Sequence, residues 1–275
     1  MQRKADAVLG IDAAWTNSAP SGVALLERNG ARWTALRVAP SSAAFCSDFG
    51  WSEQFPGAAI NVRELVDACE KRLTGSRLSV VAIDMPLSTT RIDKRRRADQ
   101  EVSRRFGHCK CAVHSPTPVR PGCTGRKLQQ GFESEGFSLV ATGGSAVPSL
   151  IEVYPHVALL GLTGRTERLP YKAGKTTTYW QGKDIETRKQ LLIAEWQFIL
   201  DCLRRHIDDI DLPLPDPAIH SLSSLKRYED ALDGLICAWV ATQFLAGTAV
   251  ALGDKSAAIW MPKPSMQFAK DHHGT

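Results

Sequence analysis

The stretch Tyr228-Glu-Asp-Ala-Leu-Asp-Gly-Leu-Ile-Cys-Ala-Trp239 carries two aspartates, Asp230 and Asp233, inside an apolar pattern. Leu232, Leu235, Ile236, Trp239 and Val240 recur at spacings that suit a packed helix. Three residues make about one helical turn, so both carboxylates leave the same face. That face continues through the small residues Gly234 and Cys237. Two like charges beside a packed surface repel each other and lose hydration. A bound cation would remove both costs. The competing reading is an exposed acidic first turn, favoured by the helix dipole. The rest of the chain has to decide between them.

Two earlier stretches bear on that choice. Ala7–Asp12 and Leu78–Asp84 each read as a short buried strand that ends in a carboxylate. In open α/β sheets, ligands bind beyond the carboxyl ends of the strands. One such Asp is as well explained by a turn. Two on matching strands, Asp12 and Asp84, point to a site. Between them, Gly22–Arg28 and Ala31–Val38 flank Asn29-Gly30, a strong hairpin signal. The chain is therefore expected to open with three consecutive strands, the second and third antiparallel.

Further along, Leu150–Tyr154 reads as a strand that carries Glu152 and stops at Pro155. Ala58–Leu73 and Ile185–Ile207 are predicted helices, and Arg91–Phe106 can be helical. Pro40–Pro56 is a loop whose Phe45, Phe49, Trp51 and Phe55 are expected to pack over the core edge rather than stack on bases. Leu159–Tyr179 reads as mixed loop. Within it, Ala173-Gly174-Lys175-Thr176 fails as a phosphate loop, because Leu169 stands where the motif needs glycine. Gly234–Gly253 lacks charged residues. It contains Thr242, Gln243, Gly247 and Thr248, and reads as a buried helix, a break near Gly247 and a short strand, not a membrane span. Thr248–Leu252 and Ala257–Trp260 are expected to add edge structure, and the last residues, to Thr275, to fray. No repeat or linker divides the 275 residues, which are expected to form one domain, 1–275.

Hydrophobic content of 43% and charge of 23% suit a globular chain. The net charge of +5 is unevenly placed. Arg91–Lys110 holds eight basic and three acidic residues, and the remainder of the chain balances. Such a patch favours a polyanionic partner; a solvated basic helix without a partner is the alternative. Seven cysteines with no signal peptide before them lead us to expect a reducing, cytoplasmic setting. Cys69, Cys202 and Cys237 read as core thiols. The loop Gly107–Gly125 contains His108, Cys109, Cys111, His114 and Cys123. These are zinc-ligand types, but their spacing matches no standard finger or ribbon, and a metal-free loop is the stronger expectation.

Taken in order, three opening strands, a helix, a further strand and later α/β elements resemble the RNase H-like fold. The Asp230-Ala-Leu-Asp233-Gly-Leu stretch resembles the acidic helix of RuvC-type Holliday-junction resolvases. The chain is more similar still to domain-of-unknown-function family 429, whose members are commonly labelled predicted RNase H-like nucleases. The matching pieces are Gly10-Ile11-Asp12, Ala82-Ile83-Asp84-Met85-Pro86, the stretch around Arg97–Arg105, Ser115-Pro116, Glu152-Val153-Tyr154-Pro155 and the Asp230/Asp233 helix. The resemblance implies an α/β fold with a mixed central sheet: three antiparallel strands, then parallel ones, flanked by helices. It implies that the first strand lies parallel to the fourth, which brings Asp12 next to Asp84. A basic, Cys/His-containing insertion at about 87–148 would interrupt it.

On that basis the expected function is metal-dependent hydrolysis of nucleic-acid phosphodiesters. Asp12, Asp84, Asp230 and Asp233 would hold two Mg²⁺ or Mn²⁺ ions, with Glu152 as an outer ligand or an orienter. Arg91, Arg95, Arg96, Arg97, Arg104 and Arg105 would grip phosphates, with Lys172 and Lys175 as weaker candidates. Two alternatives remain: a non-catalytic nucleic-acid binder of the same fold, and a nucleotide-dependent phosphotransferase. Resolvase-like sites often act as dimers, but no stretch marks a dimer surface.

Overall fold

The computed structural model describes residues 6–16, 18–47, 49–51, 57–143 and 148–263. In chain order the elements are β1 (Asp6–Asp12), β2 (Gly22–Asn29), β3 (Arg32–Ala39), α1 (Ser42–Ser47), α2 (Val62–Arg72), β4 (Arg77–Ile83) and α3 (Arg97–Phe106). Then come α4 (Thr124–Ser134), β5 (Ser138–Leu139), β6 (Ser149–Val153), α5 (Pro155–Thr163), α6 (Thr176–Tyr179) and α7 (Ile185–Leu203). The last elements are β7 (Ile207–Asp208), α8 (Leu222–Leu245), β8 (Ala249–Asp254) and β9 (Ala257–Pro262).

The strands form one mixed sheet in the order β7-β3-β2-β1-β4-β6-β9-β8, with β5 beside β6. The Asn29-Gly30 signal does mark a hairpin: Asn29 pairs with Arg32, and Gly30 turns the chain at φ +60°. β1 pairs antiparallel with β2 and parallel with β4, and β4 pairs parallel with β6.

The apolar runs are continuous because both sheet faces are covered. Val8, Ala24, Val80, Ala82, Ile151 and Val153 join one core, with α5, α7 and α8. Leu9, Ile11, Val23, Val81, Ile83 and Leu150 join the other, with α1, α2 and α4. α3 packs with β8, β9 and part of α5 in a third cluster.

The seating of α8 matters most for the site. A Cβ on Gly10 would lie 2.0 Å from the Gly234 carbonyl oxygen, and one on Gly22 would lie 1.9 Å from that of Asp230. The helix backbone therefore rests directly on β1 and β2. This contact fixes the height of Asp230 and Asp233 above the strand ends.

Several boundaries differ from expectation. α2 starts at Val62 because the Asn61 side chain caps it, accepting from the Glu64 N–H at 3.3 Å. Pro155 does not simply stop a strand. It opens α5, where its missing N–H costs nothing, and α5 takes up the start of what reads as loop. The helix expected to run to Ile207 ends at Leu203, and Ile207 begins β7, the parallel neighbour of β3. α8 ends near Gly247, at φ +69°, and β8 follows. No helix among the described residues is long and apolar enough to cross a membrane. Of the four loop aromatics, Phe45 is buried on α1 and Trp51 stacks on Tyr228 with centroids 5.0 Å apart. Phe49 is exposed, and Phe55 lies outside the described residues, as does the chain beyond residue 263.

Candidate active site

β1 and β4 end side by side. Ile11 pairs with Ile83, and the Asp84 N–H donates to the Ile11 carbonyl at 2.9 Å. Strand side chains alternate between faces. Asp12 continues the Val8–Gly10 series and Asp84 the Val80–Ala82 series, so both belong to the face that α8 covers. Burial holds the Asp84 carboxyl well above the usual carboxylate range, and the charges of Asp12 and Asp233 push it further. Burial also raises Asp12, while Lys172 and Lys226 pull against it. Among the described residues, no donor bonds to either carboxylate. Both line a cavity of about 780 Å³, together with Trp15, Arg120, Tyr154 and Asp230.

On α8, Lys226, Glu229, Asp230 and Asp233 follow at helical spacing on one face. The three acids are buried, and unpaired they would be costly there. Lys172 supplies the main compensation. Its ammonium bonds to Asp233 and lies 3.3 Å from Glu229. The Tyr171 hydroxyl donates to Asp233 at 2.8 Å, and the Ala173 N–H donates to Glu229 at 2.6 Å. Lys226 bonds to Asp230 and stands 3.3 Å from Glu229. Burial alone would lower the Lys172 pKa, but Asp233, Tyr171, Glu229 and Asp12 outweigh it and keep the ammonium charged. Burial raises Asp233 to about 6, with Lys172 restraining the rise. Glu229 resists its burial because Lys172 and Lys226 hold it below its ordinary value.

Glu152 lines the same cavity but turns the other way. It pairs in register with Ile83, whose face meets α2 and α4. There it accepts from Arg96 Nη1 at 2.6 Å, Arg96 Nη2 at 2.7 Å and the Leu87 N–H at 2.8 Å. Arg96 also binds Asp99 at 2.6 Å and the Leu87 carbonyl at 2.8 Å. This arginine was expected to grip phosphate. The structure instead buries it in an ion network, because two acids and a carbonyl satisfy its guanidinium.

The other basic candidates are scattered. Arg97 and Arg105 both pair with Glu101. Arg95 reaches Ser103 and the Asp99 carbonyl. Arg91 lines a separate cavity of about 310 Å³, and Arg104 and Lys175 are exposed. Lys172, expected at phosphate, lies inward against the carboxylates.

The weaker, zinc reading of the Cys/His loop finds no cluster among the described residues. Cys109 and Cys111 are buried among Ala98, Val102 and Phe106. Burial pushes the Cys111 thiol up to about 12, away from the thiolate that zinc requires. Cys123 is exposed before α4, and His114 faces the main cavity. His108 Nε2 lies 3.2 Å from Cys109 Sγ. Among the described residues, no group of three or more His, Cys, Asp or Glu is arranged to hold a metal.

A hard divalent cation nevertheless fits the pair Asp12 and Asp84. Their oxygens are hard donors without hydrogen-bond partners among the described residues, and Mg²⁺ commonly takes only one or two carboxylates beside water and substrate oxygens. Asp233 and Asp230 do not add to this pair, since Lys172 and Lys226 already hold them. Sequence reasoning passed over Glu229 and Lys226, although both lie at helical spacing from Asp233 and Asp230. It also missed Tyr171, which arrives from a loop without a local signal.

A family model described as "Protein of unknown function (DUF429)" matches residues 10–258. No curated protein and no solved structure matches the chain. The family match covers both strand-end aspartates and the acidic face of α8, and the chain belongs to this family of unknown function, DUF429.

Proposed function

We propose that the chain is a divalent-cation-dependent phosphodiesterase acting on nucleic acid, on a sheet of the RNase H-like type. The observation that carries this reading is the Asp12–Asp84 pair. Two carboxylates on adjacent parallel strand ends, with no donor among the described residues, open on a large cavity. The antiparallel β1–β2–β3 order, β4 parallel to β1, and a carboxylate helix crossing β1 support the fold reading. Exposed basic side chains, Arg104 and Arg120 among them, support a polyanionic substrate.

In this reading Asp12 and Asp84 hold Mg²⁺ or Mn²⁺. An ion held there would supply Lewis-acid chemistry toward a phosphoryl oxygen. The chain's own groups do the rest. Lys172 favours the ionised form of Asp233, and Lys172 and Tyr171 together fix its position beside the pair. Trp15, under Arg120 at 5.7 Å, offers a stacking face at the cavity wall.

The test is cleavage of labelled DNA and RNA, single-stranded and duplex, by wild type and Asp84→Asn in Mg²⁺, Mn²⁺ and chelator. Cleavage by wild type alone, abolished by chelator, is the expected result. Equal cleavage by Asp84→Asn would remove the assignment. A second reading, a nucleic-acid binder without turnover, draws on the saturation of the α8 acids by Lys172 and Lys226. Salt-sensitive binding with no cleavage across the panel would favour it.

A further inference from the structure

We infer that Lys172 stands in for a second cation, so that the site takes one divalent ion, at Asp12 and Asp84, and not two. The inference rests on the cation reading of that pair. Five acidic side chains converge near the ends of β1 and β4: Asp12, Asp84, Glu229, Asp230 and Asp233. They divide into two groups. Glu229, Asp230 and Asp233 are bonded to the ammonium groups of Lys172 and Lys226. Asp12 and Asp84 are not.

Lys172 is held from both sides. Tyr171 before it is fully buried, binds Asp233 through its hydroxyl and receives the Trp196 indole N–H on its carbonyl at 2.7 Å. Ala173 after it donates its N–H to Glu229. The backbone of the loop is thus pinned where the ammonium must meet Asp233. A second divalent ion at Asp233 would face this ammonium at contact distance. Like charges in a low-dielectric site repel strongly. It would have to expel a lysine that is also one of the two cations at buried Glu229, leaving that carboxylate with Lys226 and the Ala173 N–H.

The decisive measurement counts bound Mn²⁺ per chain by electron paramagnetic resonance, without substrate. The expected count is one for wild type and none for Asp84→Asn. Lys172→Met removes the ammonium and keeps the stem, and its count is expected to rise to two. The second ion should vanish again in Lys172→Met/Asp233→Asn. Lys172→Arg keeps a cation and should keep the count at one. Two ions in wild type, or a folded Lys172→Met that still binds one, would overturn the inference. If Lys172→Met does not fold, the wild-type count decides alone: one supports the inference, and two or none overturns it. The outcomes separate this inference from the nuclease proposal. Two ions with metal-dependent cleavage would sink only the inference. One ion without cleavage would sink only the proposal.

Discussion

Glu152 on β6 and Asp84 after β4 sit on neighbouring parallel strands, both in or near the carboxyl edge of the sheet. Glu152 receives three donors, two from Arg96 and one from Leu87. Asp84 receives none among the described residues. The difference arises from a single step of side-chain alternation. Glu152 shares the Ile83 face, where Arg96 arrives with Asp99. Asp84, one residue on, belongs to the α8 face, where the nearest groups include other carboxylates. Two acids on neighbouring strands thus serve opposite ends, Glu152 buried and Asp84 partly exposed at the cavity. One completes a satisfied network that ties Leu87 and Arg96, at the start of α3, to the sheet. The other receives no donor among the described residues, and its burial and neighbouring carboxylates make its ionised form costly.

The contrast can be broken most forcefully at Arg96. Its side chain and those of Asp99 and Glu152 are 6%, 0% and 5% exposed, so Arg96→Met strands two buried acids. Urea unfolding should show a loss of about 4 kcal/mol. A loss under about 1 kcal/mol would mean that the network is not structural.

Gly10→Ala attacks the other region, forcing α8 off β1. The expected cost is about 3 kcal/mol, since the new methyl meets helix backbone and not a pliant side chain. Folded protein should lose Mn²⁺ affinity, because Asp12 adjoins the displaced contact. Unchanged stability and metal binding would contradict the seating of α8.

Asp84→Asn should act in the reverse sense on stability. Removing a charge crowded by Asp12 and Asp233 should raise stability in metal-free buffer by about 1 kcal/mol, or roughly 2–4 °C in Tm. The gain should depend on pH. Asp233 moves from an ordinary 3.8 to about 6, and Asp84 is raised as well. A carboxyl with a raised folded value holds its proton more tightly in the native state. The cluster's cost is therefore absent below about pH 4 and grows as pH rises, the share of Asp233 being full above about 6. The Tm gain of Asp84→Asn should be larger at about pH 7.5 than at about pH 4.5. A gain that grew toward acid would reverse the sign and refute the crowding argument.

The smallest effect is expected at Glu101, which meets Arg97 at 3.3 Å and Arg105 at 3.7 Å on the solvent side of α3. Glu101→Gln should shift stability by less than about 0.5 kcal/mol. A shift approaching that of Arg96→Met would mean that burial does not separate the two kinds of ion pair.

Much of the fold was legible because its signals are local. The apolar runs of β1 and β4, the Asn29-Gly30 turn and the apolar spacing of α8 each follow from side chains a few residues apart. So does the family, whose short motifs stand in order along the chain. The acidic face of α8 was legible, but its state was not. The spacing of Asp230 and Asp233 left open a cation or an exposed acidic turn. The structure buries both residues and partners them with lysines. The basic stretch was legible as charge but not as function. Counting arginines between Arg91 and Arg105 cannot show that Arg96 has two buried acids to meet. The Cys/His loop was legible as ligand types whose spacing fits no standard zinc site, and ligand types in one loop need not converge.

The sequence by itself determined which strands are buried, where carboxylates end them and which helix brings further acids, because periodicity and turn chemistry act over one or two turns of chain. Only the tertiary structure decided which acids remain available. That depends on Lys172 and Arg96, which reach Asp233 and Glu152 across 61 and 56 residues of chain. Asp230 and Asp99 find counter-charges one helical turn away, but for Asp233 and Glu152 the partner arrives by packing between distant segments, which no local pattern records.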